Sequence, residues 1–340
     1  MSAHDTIRVG VIGAGRIGKI HARNLATCIP GARVTAIADP IYDAACELSE
    51  QLHVPLATAD YLEVINNPEV DAVAICSSTN THAQMMIEAA LAGKHIFCEK
   101  PIAYDLRTID EALSTVEKAG VLLQIGFNRR FDPNFKKVRE MVAEGKIGEP
   151  HILRITSRDP APPPIEYVKV SGGIFFDMTI HDFDMSRYLM GSDVEEIYAA
   201  GGVLVDPRIG EAGDIDTAVI TLRFKNGAIG TIDNSRKAAY GYDQRVEVFG
   251  SGGMVMVHNE TPDMHVYGNA EGMHAAKPLY FFLERYAQSF IDEMRDFVEA
   301  VQTGSKPPVT GIDGRIPVVM AMAATKSVKE NRPVKLSEFN

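Results

Sequence analysis

The sequence predicts an α/β domain with a doubly wound parallel sheet, followed by an α+β domain with a large, mostly antiparallel open sheet. Apolar, β-rich runs alternate with helix-compatible stretches throughout residues 6–127, which is typical of a parallel sheet. A glycine-rich turn follows the first of these runs. Longer β-rich segments separated by hairpin-like turns follow residue 150. We therefore predict domains at residues 1–127 and 128–340.

The glycine-rich turn has the form G-x-G-x-x-G, with Gly13, Gly15 and Gly18 after an apolar run at residues 7–12. A helix-compatible stretch follows it, and this order is that of a dinucleotide-binding Rossmann fingerprint. Gly13 permits the tight turn, Gly15 lets the backbone approach a pyrophosphate, and Gly18 lets the helix pack closely on the strand. The motif alone is a weak indication, because glycine turns are common.

Asp39 supports the same interpretation, because it ends the second predicted strand, about 20 residues after the glycines. A carboxylate at this position accepts hydrogen bonds from an adenosine ribose. It also repels a ribose 2′-phosphate, and the next residue, Pro40, offers no positive charge. The sequence thus favours NAD over NADP. The alternative is that Asp39 only opens a turn, as Asp-Pro often does.

The rest of the α/β domain consists of short alternating elements. We predict strands at 71–77, 94–98 and 121–127, and helices at 41–53, 83–92 and 105–119. Ser77 ends the first of these strands, and Thr79, Asn80 and His82 fall on the loop after it, beside the expected cofactor. His82 either contacts the ligand or supports this loop.

The stretch Cys98-Glu99-Lys100-Pro101 ends another predicted strand. Proline has no backbone N–H and a fixed φ, so a central strand should stop there. Lys100 is then carried at the carboxyl end of a strand, where ligands bind in open α/β sheets. The alternative is an ordinary surface lysine. Glu99 is better suited to support Lys100 than to act as a base.

The second domain contains a candidate acid–base pair, Asp177 and His181, four residues apart. If the segment is one helix, both side chains project from one face, with Cβ atoms about 6 Å apart. A carboxylate beside an imidazole can orient the ring and support its positive charge as it takes a proton. The alternative is an acidic helix with a satisfied histidine, since Asp182 and Asp184 crowd the same turn. Two helices, 284–302 and 313–330, are predicted to close this domain, and an apolar stripe on the first indicates core packing.

Composition excludes several classes of protein. The 340 residues carry a formal net charge of −11, which argues against a general binder of nucleic acid or anionic membranes. Four cysteines, Cys28, Cys46, Cys76 and Cys98, show no paired spacing, so neither a disulfide framework nor a metal site is expected. The polar start at residues 1–6 and the short first apolar run predict a cytoplasmic protein with neither a secretory signal nor a membrane span.

The glycine fingerprint, the EKP at residues 99–101 and the D-x-x-x-H at residues 177–181 together resemble the glucose-fructose oxidoreductase / inositol dehydrogenase / rhizopine-catabolism (Gfo/Idh/MocA) family. The resemblance covers essentially the whole chain. Within the family, TSRDPAPP at 156–163, SGGIFFDMTIHDFDM at 171–185 and YDQRVEVFGSGG at 242–253 look like the inositol dehydrogenases.

The resemblance implies NAD-dependent oxidation of a cyclic polyol bound by residues of both domains. In that scheme His181 takes the proton from the reacting hydroxyl, and Asp177 orients His181 and binds substrate. Lys100 donates to the substrate oxygen and places the substrate against the cofactor. For myo-inositol the product would be 2-keto-myo-inositol. The expected cofactor contacts are Gly13, Gly15, Arg16, Ile17, Asp39, Ser77, Thr79, Asn80, His82, Glu99 and Lys100.

Three further substrate contacts are expected at Asn128, Asp159 and Tyr280. Asp159 precedes a proline-rich run, so a rigid loop or an oligomer contact is an equal interpretation. Members of the family are often dimers or tetramers, which implies an interface on the sheet strands 217–224 and 245–250. The same chemistry on scyllo-inositol, glucose or another sugar is the main alternative, and a non-catalytic dinucleotide sensor is a further one.

Overall fold

The structure is a computed structural model that describes residues 6–339; the predicted polar N-terminus lies outside this range except for Thr6. The chain divides into two compact units. The first consists of the described chain up to Phe131 together with Gln288–Val318. The second consists of Asp132–Ala287 and the chain from Val319 onward.

The amino-terminal part of the first unit alternates strand and helix. Its elements are β1 Ile7–Ile12, α1 Arg16–Thr27, β2 Ala32–Ala38, α2 Tyr42–Leu52, β3 Leu56–Thr58, α3 Tyr61–Ile65, β4 Ala72–Ile75, α4 Thr79–Leu91, β5 His95–Glu99, α5 Leu106–Ala119, β6 Leu123–Gly126 and a 3₁₀ turn Asn128–Phe131. The strands form one parallel sheet in the order β3-β2-β1-β4-β5-β6. The predicted doubly wound parallel sheet is confirmed, with the strand order reversing between β1 and β4.

The second unit is built on a seven-stranded sheet. Its elements up to residue 285 are α6 Pro133–Ala143, β7 Pro150–Arg158, α7 Ile165–Val168, α8 Ile174–Asp177, α9 Thr179–Met190, β8 Val194–Gly202, α10 Pro207–Glu211, β9 Thr217–Phe224, β10 Ile229–Ser235, β11 Asp243–Gly250, β12 Gly253–Val257, β13 Val266–Asn269, β14 Gly272–Ala275 and α11 Phe282–Arg285. The chain ends with α12 Ala287–Thr303, α13 Gly311–Glu330, β15 Val334–Lys335 and a 3₁₀ turn Leu336–Phe339.

The large sheet has the order β12-β11-β7-β10-β9-β8-β15, and β13 and β14 form a separate hairpin. All its strand pairs are antiparallel except β10 with β7, so the predicted mostly antiparallel sheet is confirmed. Burial alternates along β9, as expected for a sheet with one covered face. α9 packs on the covered face, against β7 and β10. The other face is open in the single chain and exposes Val219, Ile229 and Phe249.

The two compact units differ from the predicted domains in the place of helix α12. A boundary between residues 127 and 128 would put α12 in the second domain. Its apolar stripe is buried, as predicted, but it packs in the first unit. Met294 and Phe297 of α12 belong to one hydrophobic core cluster with Val11 of β1, Leu25 of α1 and Phe97 of β5. The stripe therefore covers a face of the parallel sheet in the first unit. Among the described helices, none is long and apolar enough to cross a membrane.

Candidate active site

The carboxyl ends of β1, β2, β4 and β5 carry most of the predicted cofactor residues. Because these strands are parallel neighbours, their carboxyl ends lie at one edge of the sheet. Ligands bind at this edge in open α/β sheets. The order places the glycine turn after β1 at the point where the strand order reverses.

The three glycines of the turn meet different surroundings. Gly13 has a φ of 105°, and a Cβ there would lie 2.6 Å from the carbonyl oxygen of Cys76. A Cβ on Gly18 would lie 1.8 Å from the carbonyl oxygen of Gly13, so α1 packs against the turn as predicted. A Cβ on Gly15 would meet nothing within 4 Å. Gly15 therefore borders open space at the start of α1, where backbone N–H groups can receive a phosphate.

The first turn of α1 supplies the next two predicted cofactor residues. The Arg16 side chain is exposed, and Ile17 is half-buried. Asp39 lies after β2, with its Oδ2 accepting from the Ala14 backbone N–H at 2.7 Å. Its Oδ1 accepts from the Ile41 backbone N–H at 2.9 Å. Asp39 thus opens the turn after β2 and also holds the glycine turn, and both roles are compatible with a ribose contact.

The segment after β4 begins a helix earlier than predicted. Thr79 and Asn80 form the first turn of α4 rather than a loop, with Thr79 half-buried and Asn80 exposed. The predicted helix at 83–92 started too late because Ser-Ser-Thr-Asn-Thr is a typical turn composition, although these residues also favour helix starts. The Ser77 Oγ lies 2.7 Å from the Thr81 Oγ1, which ties the strand end to the helix.

His82 is buried within α4, with only 1% of its surface exposed. Its Nδ1 lies 2.8 Å from the Pro101 carbonyl oxygen, and its Nε2 lies 3.1 Å from the Ser77 carbonyl oxygen. Burial lowers the pKa of His82 below its ordinary value. Of the two roles considered from the sequence, these contacts favour support of the strand-end segments over direct contact with a ligand.

Lys100 follows β5 directly, at the strand end where the sequence predicts it. The peptide bond from Lys100 to Pro101 is cis. The preceding Glu99 accepts a hydrogen bond at 2.7 Å from the Nε2 of His21, which is fully buried in α1. Asn128 is buried in the 3₁₀ turn after β6, the next strand of the sheet.

Asp177 and His181 lie in consecutive short helices of the second unit. α8 ends at Asp177, Met178 intervenes, and α9 begins at Thr179. The assumption of one continuous helix is therefore wrong, because the helix breaks at Met178, whose φ and ψ of −98° and −58° depart from regular helical values. His181 is half-buried in the first turn of α9.

The carboxylate of Asp177 is held on both oxygens. Oδ1 accepts from the Tyr167 hydroxyl at 2.8 Å, and Oδ2 accepts from Arg236 at 3.0 Å. Arg236 is 1% exposed and also lies 3.5 Å from the Oδ2 of Asp214. Burial disfavours the charge of Arg236, but the carboxylates of Asp177, Asp214 and Asp159 outweigh it and raise the pKa of Arg236. The structure thus brings Asp159 and Asp177 into one cluster around a buried arginine.

The acids that crowd this segment face inward. Asp182 and Asp184 are fully buried, so these two acidic side chains of α9 do not face solvent. The Oδ2 of Asp182 accepts from Asn234 of β10 at 2.8 Å, and the Asn234 Oδ1 accepts from the Thr179 hydroxyl at 2.6 Å. These buried hydrogen bonds fix the start of α9, and with it His181, on the large sheet.

The other two predicted substrate contacts are differently placed. The backbone N–H of Asp159 donates to the Ser235 carbonyl at 2.9 Å, next to Arg236. Tyr280 precedes α11 with 63% of its surface exposed, and its ring lies beside Phe281. Its role stays a prediction.

Sequence reasoning missed Arg236, Tyr167 and His21. An arginine directly after an alternating strand is a common surface pattern, so Arg236 carried no signal of its own. Tyr167 follows the proline-rich run, and His21 lies at a helix position with no distinguishing sequence pattern.

Within the described range, no group of three or more His, Cys, Asp or Glu side chains is arranged to hold a metal ion. Cys76 and Cys98 are buried free thiols, and burial raises the pKa of each.

Two family profiles match the chain. One, described as oxidoreductase family with an NAD-binding Rossmann fold, covers residues 7–127, and a GFO/IDH/MocA C-terminal domain covers residues 135–256. A myo-inositol 2-dehydrogenase of Thermotoga maritima is 54% identical over 98% of this chain and 99% of its own. An inositol 2-dehydrogenase of Rhizobium meliloti is 42% identical over 98% and 100%. The structure of a Lactobacillus casei scyllo-inositol dehydrogenase with bound NAD(H) and scyllo-inositol superposes with a TM-score of 0.92, at 30% identity over 98% and 100%.

Proposed function

The chain belongs to the GFO/IDH/MocA oxidoreductase family, and we propose that it oxidises myo-inositol to 2-keto-myo-inositol with NAD as the hydride acceptor. The observation that carries the proposal is the similarity to a myo-inositol 2-dehydrogenase along the full length of both chains. Lys100, Asp177 and His181, the three residues that the family resemblance marks as catalytic, all stand in this sequence.

The first unit fits NAD on geometric grounds. Gly15 borders open space, and a side chain there would occupy the space through which a phosphate would approach. α1 begins at the next residue. The half-buried carboxylate of Asp39 lies beside the glycine turn, bonded to Ala14, and suits a ribose hydroxyl. Bound NAD supplies the acceptor for the hydride that leaves the polyol carbon. Arg16, Ile17, Ser77, Thr79, Asn80 and Glu99 are proposed as further contacts or supports of the cofactor.

The proton chemistry is assigned to the chain itself. We assign His181 as the base that takes the proton of the reacting hydroxyl, because it is a half-buried imidazole held by the buried anchors of α9. Lys100 donates to the same oxygen and stabilises the charge that develops there. Asp177, oriented by Tyr167 and Arg236, accepts from other hydroxyls of the polyol, as Asp159 does. Asn128 and Tyr280 remain proposed substrate contacts.

Scyllo-inositol is the second candidate substrate. The Lactobacillus casei enzyme with bound scyllo-inositol shares the fold at a TM-score of 0.92. Inositol isomers differ only in which face of the ring carries a hydroxyl. A pocket that hydrogen-bonds one hydroxyl strongly rejects the isomer that leaves the partner unpaired.

Initial rates with NAD and NADP over a panel of inositol isomers and aldoses test the proposal. We expect NADH formation with myo-inositol and a higher kcat/KM for it than for any aldose. Tight NAD binding without turnover of any polyol would contradict it and favour a sensor. Faster turnover of scyllo-inositol would select the second candidate.

The role of His181 is tested by His181→Asn, with His151→Asn, an exposed residue near the start of β7, as the matched control. Loss of a general base lowers kcat by roughly 10²–10⁴-fold. We expect a loss in this range for His181→Asn and none for the control. A loss below about tenfold would remove His181 from the role of base.

We also propose that the protein works in the cytoplasm as a dimer or tetramer formed through the open face of the large sheet. Val219 of β9 and Ile229 of β10 are 54% and 48% exposed on this face, so two apolar side chains of neighbouring strands meet water in the single chain. Light scattering of the double variant Val219→Lys, Ile229→Lys is expected to show a smaller species than the wild type. An unchanged mass would move the interface elsewhere.

A further inference from the structure

Two buried histidines contact the residues on either side of Lys100. Before it, the carboxylate of Glu99 lies 2.7 Å from the Nε2 of His21. After it, the carbonyl oxygen of Pro101 lies 2.8 Å from the Nδ1 of His82. The two histidines come from different helices, α1 and α4. Neither was assigned a catalytic role above.

The ring of His82 lies between the segments that follow two strands, β4 and β5. Its second nitrogen lies 3.1 Å from the carbonyl oxygen of Ser77, which follows β4. Both partners are carbonyl oxygens and can only accept, whereas a neutral imidazole carries one N–H donor. Because burial lowers the pKa of His82, the ring is neutral near pH 7 and donates to one carbonyl at a time. The shorter distance identifies Pro101 as the acceptor.

The contact of His21 is enclosed by aromatic rings. Its ring packs edge-on against Phe97 and Phe290, with centroids 4.9 Å and 5.7 Å away. Glu99 pairs with Gly126 on β6, and a Cβ on Gly126 would lie 3.0 Å from the Glu99 carboxylate. The glycine thus leaves room for the carboxylate to turn toward His21, which is fully buried.

We propose that His21 and His82 are positioning residues that hold the backbone on both sides of Lys100, and that His82 does so through its Nδ1–H. This proposal rests on the role of Lys100 in the proposed function. A lysine on a flexible stem is placed only as well as its backbone is held, and a displacement of about 1 Å can cost roughly 10²-fold in rate. The Nε2 of His82 also lies beside the carbonyl oxygen of Ser77, a proposed cofactor residue.

Three substitutions of His82 separate its two nitrogens. Asparagine places its amide NH₂ near the position of Nδ1, and glutamine places its own near Nε2. We expect His82→Ala to lower kcat by about 10–100-fold. His82→Asn should retain at least about a third of wild-type kcat, whereas His82→Gln should resemble alanine because it donates toward Ser77 instead of Pro101.

The matched control is His95→Ala, at the opposite end of β5. The Nδ1 of His95 accepts from the Leu122 backbone N–H at 3.1 Å, so it supports the same strand away from Lys100. We expect this variant to lower the melting temperature without changing kcat. If His95→Ala instead lost kcat in the same proportion to its fall in melting temperature as the His82 variants do, His82 would have only a structural role.

The same design applies to His21. His21→Gln can keep a donor near Nε2 and should retain most of kcat, whereas His21→Leu fills the space without a donor and should lose about tenfold or more. The dissociation constant for NADH, measured by fluorescence, is expected to stay within about threefold of wild type in His21→Gln, which keeps the bond to Glu99, a proposed cofactor residue. Equal kcat for His21→Gln and His21→Leu would overturn the role of His21.

Crystal structures of the variants distinguish this proposal from the proposed function. We expect the Lys100 Cα to move by about 0.5 Å or more in His82→Ala and to stay in place in His82→Asn. An unmoved Lys100 in His82→Ala would overturn the positioning role whatever the enzyme oxidises. Absence of wild-type turnover with every polyol would contradict the proposed function, and the structures would still decide on His82.

Discussion

Glu293 is a fully buried carboxyl group in α12, beside the Glu99–His21 pair. Neither of its carboxylate oxygens hydrogen-bonds to another described residue. Burial, and then the charge of Glu99, raise its pKa well above the ordinary value. Burial and the neighbouring charge of Glu99 thus both disfavour ionisation of Glu293.

Replacing this acid should stabilise the protein in alkaline solution. A carboxyl whose pKa is raised by folding contributes no penalty below its unfolded pKa and destabilises the folded state as pH rises through the folded pKa. Glu293→Gln removes this dependence. We expect its melting temperature, relative to wild type, to be higher at about pH 8.5 than at about pH 6, by a few degrees. An equal difference at both pH values would contradict the buried-acid assignment.

Asp39 should decide the preference between NAD and NADP. Its carboxylate holds the glycine turn through Ala14 and would repel a 2′-phosphate. We expect Asp39→Ser to raise the ratio of kcat/KM for NADP over NAD by about tenfold or more, because a loss of repulsion of 1.4 kcal/mol corresponds to tenfold. The NAD value should also fall, since the bond to Ala14 is weakened. An unchanged ratio would show that Asp39 acts only on the turn.

The predicted helices and strands agree with the observed ones where the local sequence specifies the element. β1 at residues 7–12, β5 and α5 follow the apolar patterning closely, since local periodicity and caps specify them. The helix break at Met178 was not predicted, because tertiary bonds such as Asn234 to Asp182 hold the start of α9. The early start of α4 was not predicted because its first residues are also typical of turns. The partners of Asp177 could not be predicted either. Arg236 is far from it in sequence, and Tyr167 lies in a separate short helix, α7, so both meet Asp177 only in the folded unit.

The glycine turn and α1 give a matched pair of substitutions at this scale. A Cβ on Gly15 meets nothing within 4 Å, whereas one on Gly18 would lie 1.8 Å from the Gly13 carbonyl oxygen. We expect Gly15→Ala to keep the wild-type melting temperature and raise the KM for NAD about tenfold. Gly18→Ala should lower stability by roughly 1–3 kcal/mol, because α1 must move from the turn. Equal stability of the two variants would contradict the observed packing.

On the scale of the whole molecule, the chain order and the compact units do not coincide. The predicted boundary near residue 127 treats the first domain as continuous, because sequence patterns mark where elements begin but not which sheet a late helix covers. Met294 and Phe297 complete the core of the first unit from a position after nearly all of the second.

A fragment ending at Phe131 should therefore fail to fold stably. It lacks α12, so the apolar sheet face that Met294 and Phe297 cover would meet water. We expect no cooperative thermal transition for residues 1–131. Joining residues 288–318 to this fragment through a glycine–serine linker should restore a cooperative transition and NADH binding. A stable, NADH-binding fragment without the added segment would show that α12 is dispensable for the core.

The same arrangement constrains the protein while it is being made. Ribosomes add roughly 5–20 residues per second, so the roughly 170 residues from Phe131 to Val301 take on the order of 10–30 s to emerge. During that interval the nascent parallel sheet has one uncovered apolar face, although its own strands are complete. The second unit is completed later still, because it needs the chain from Val319 onward. The late arrival of one helix thus sets how long this apolar face stays uncovered during synthesis.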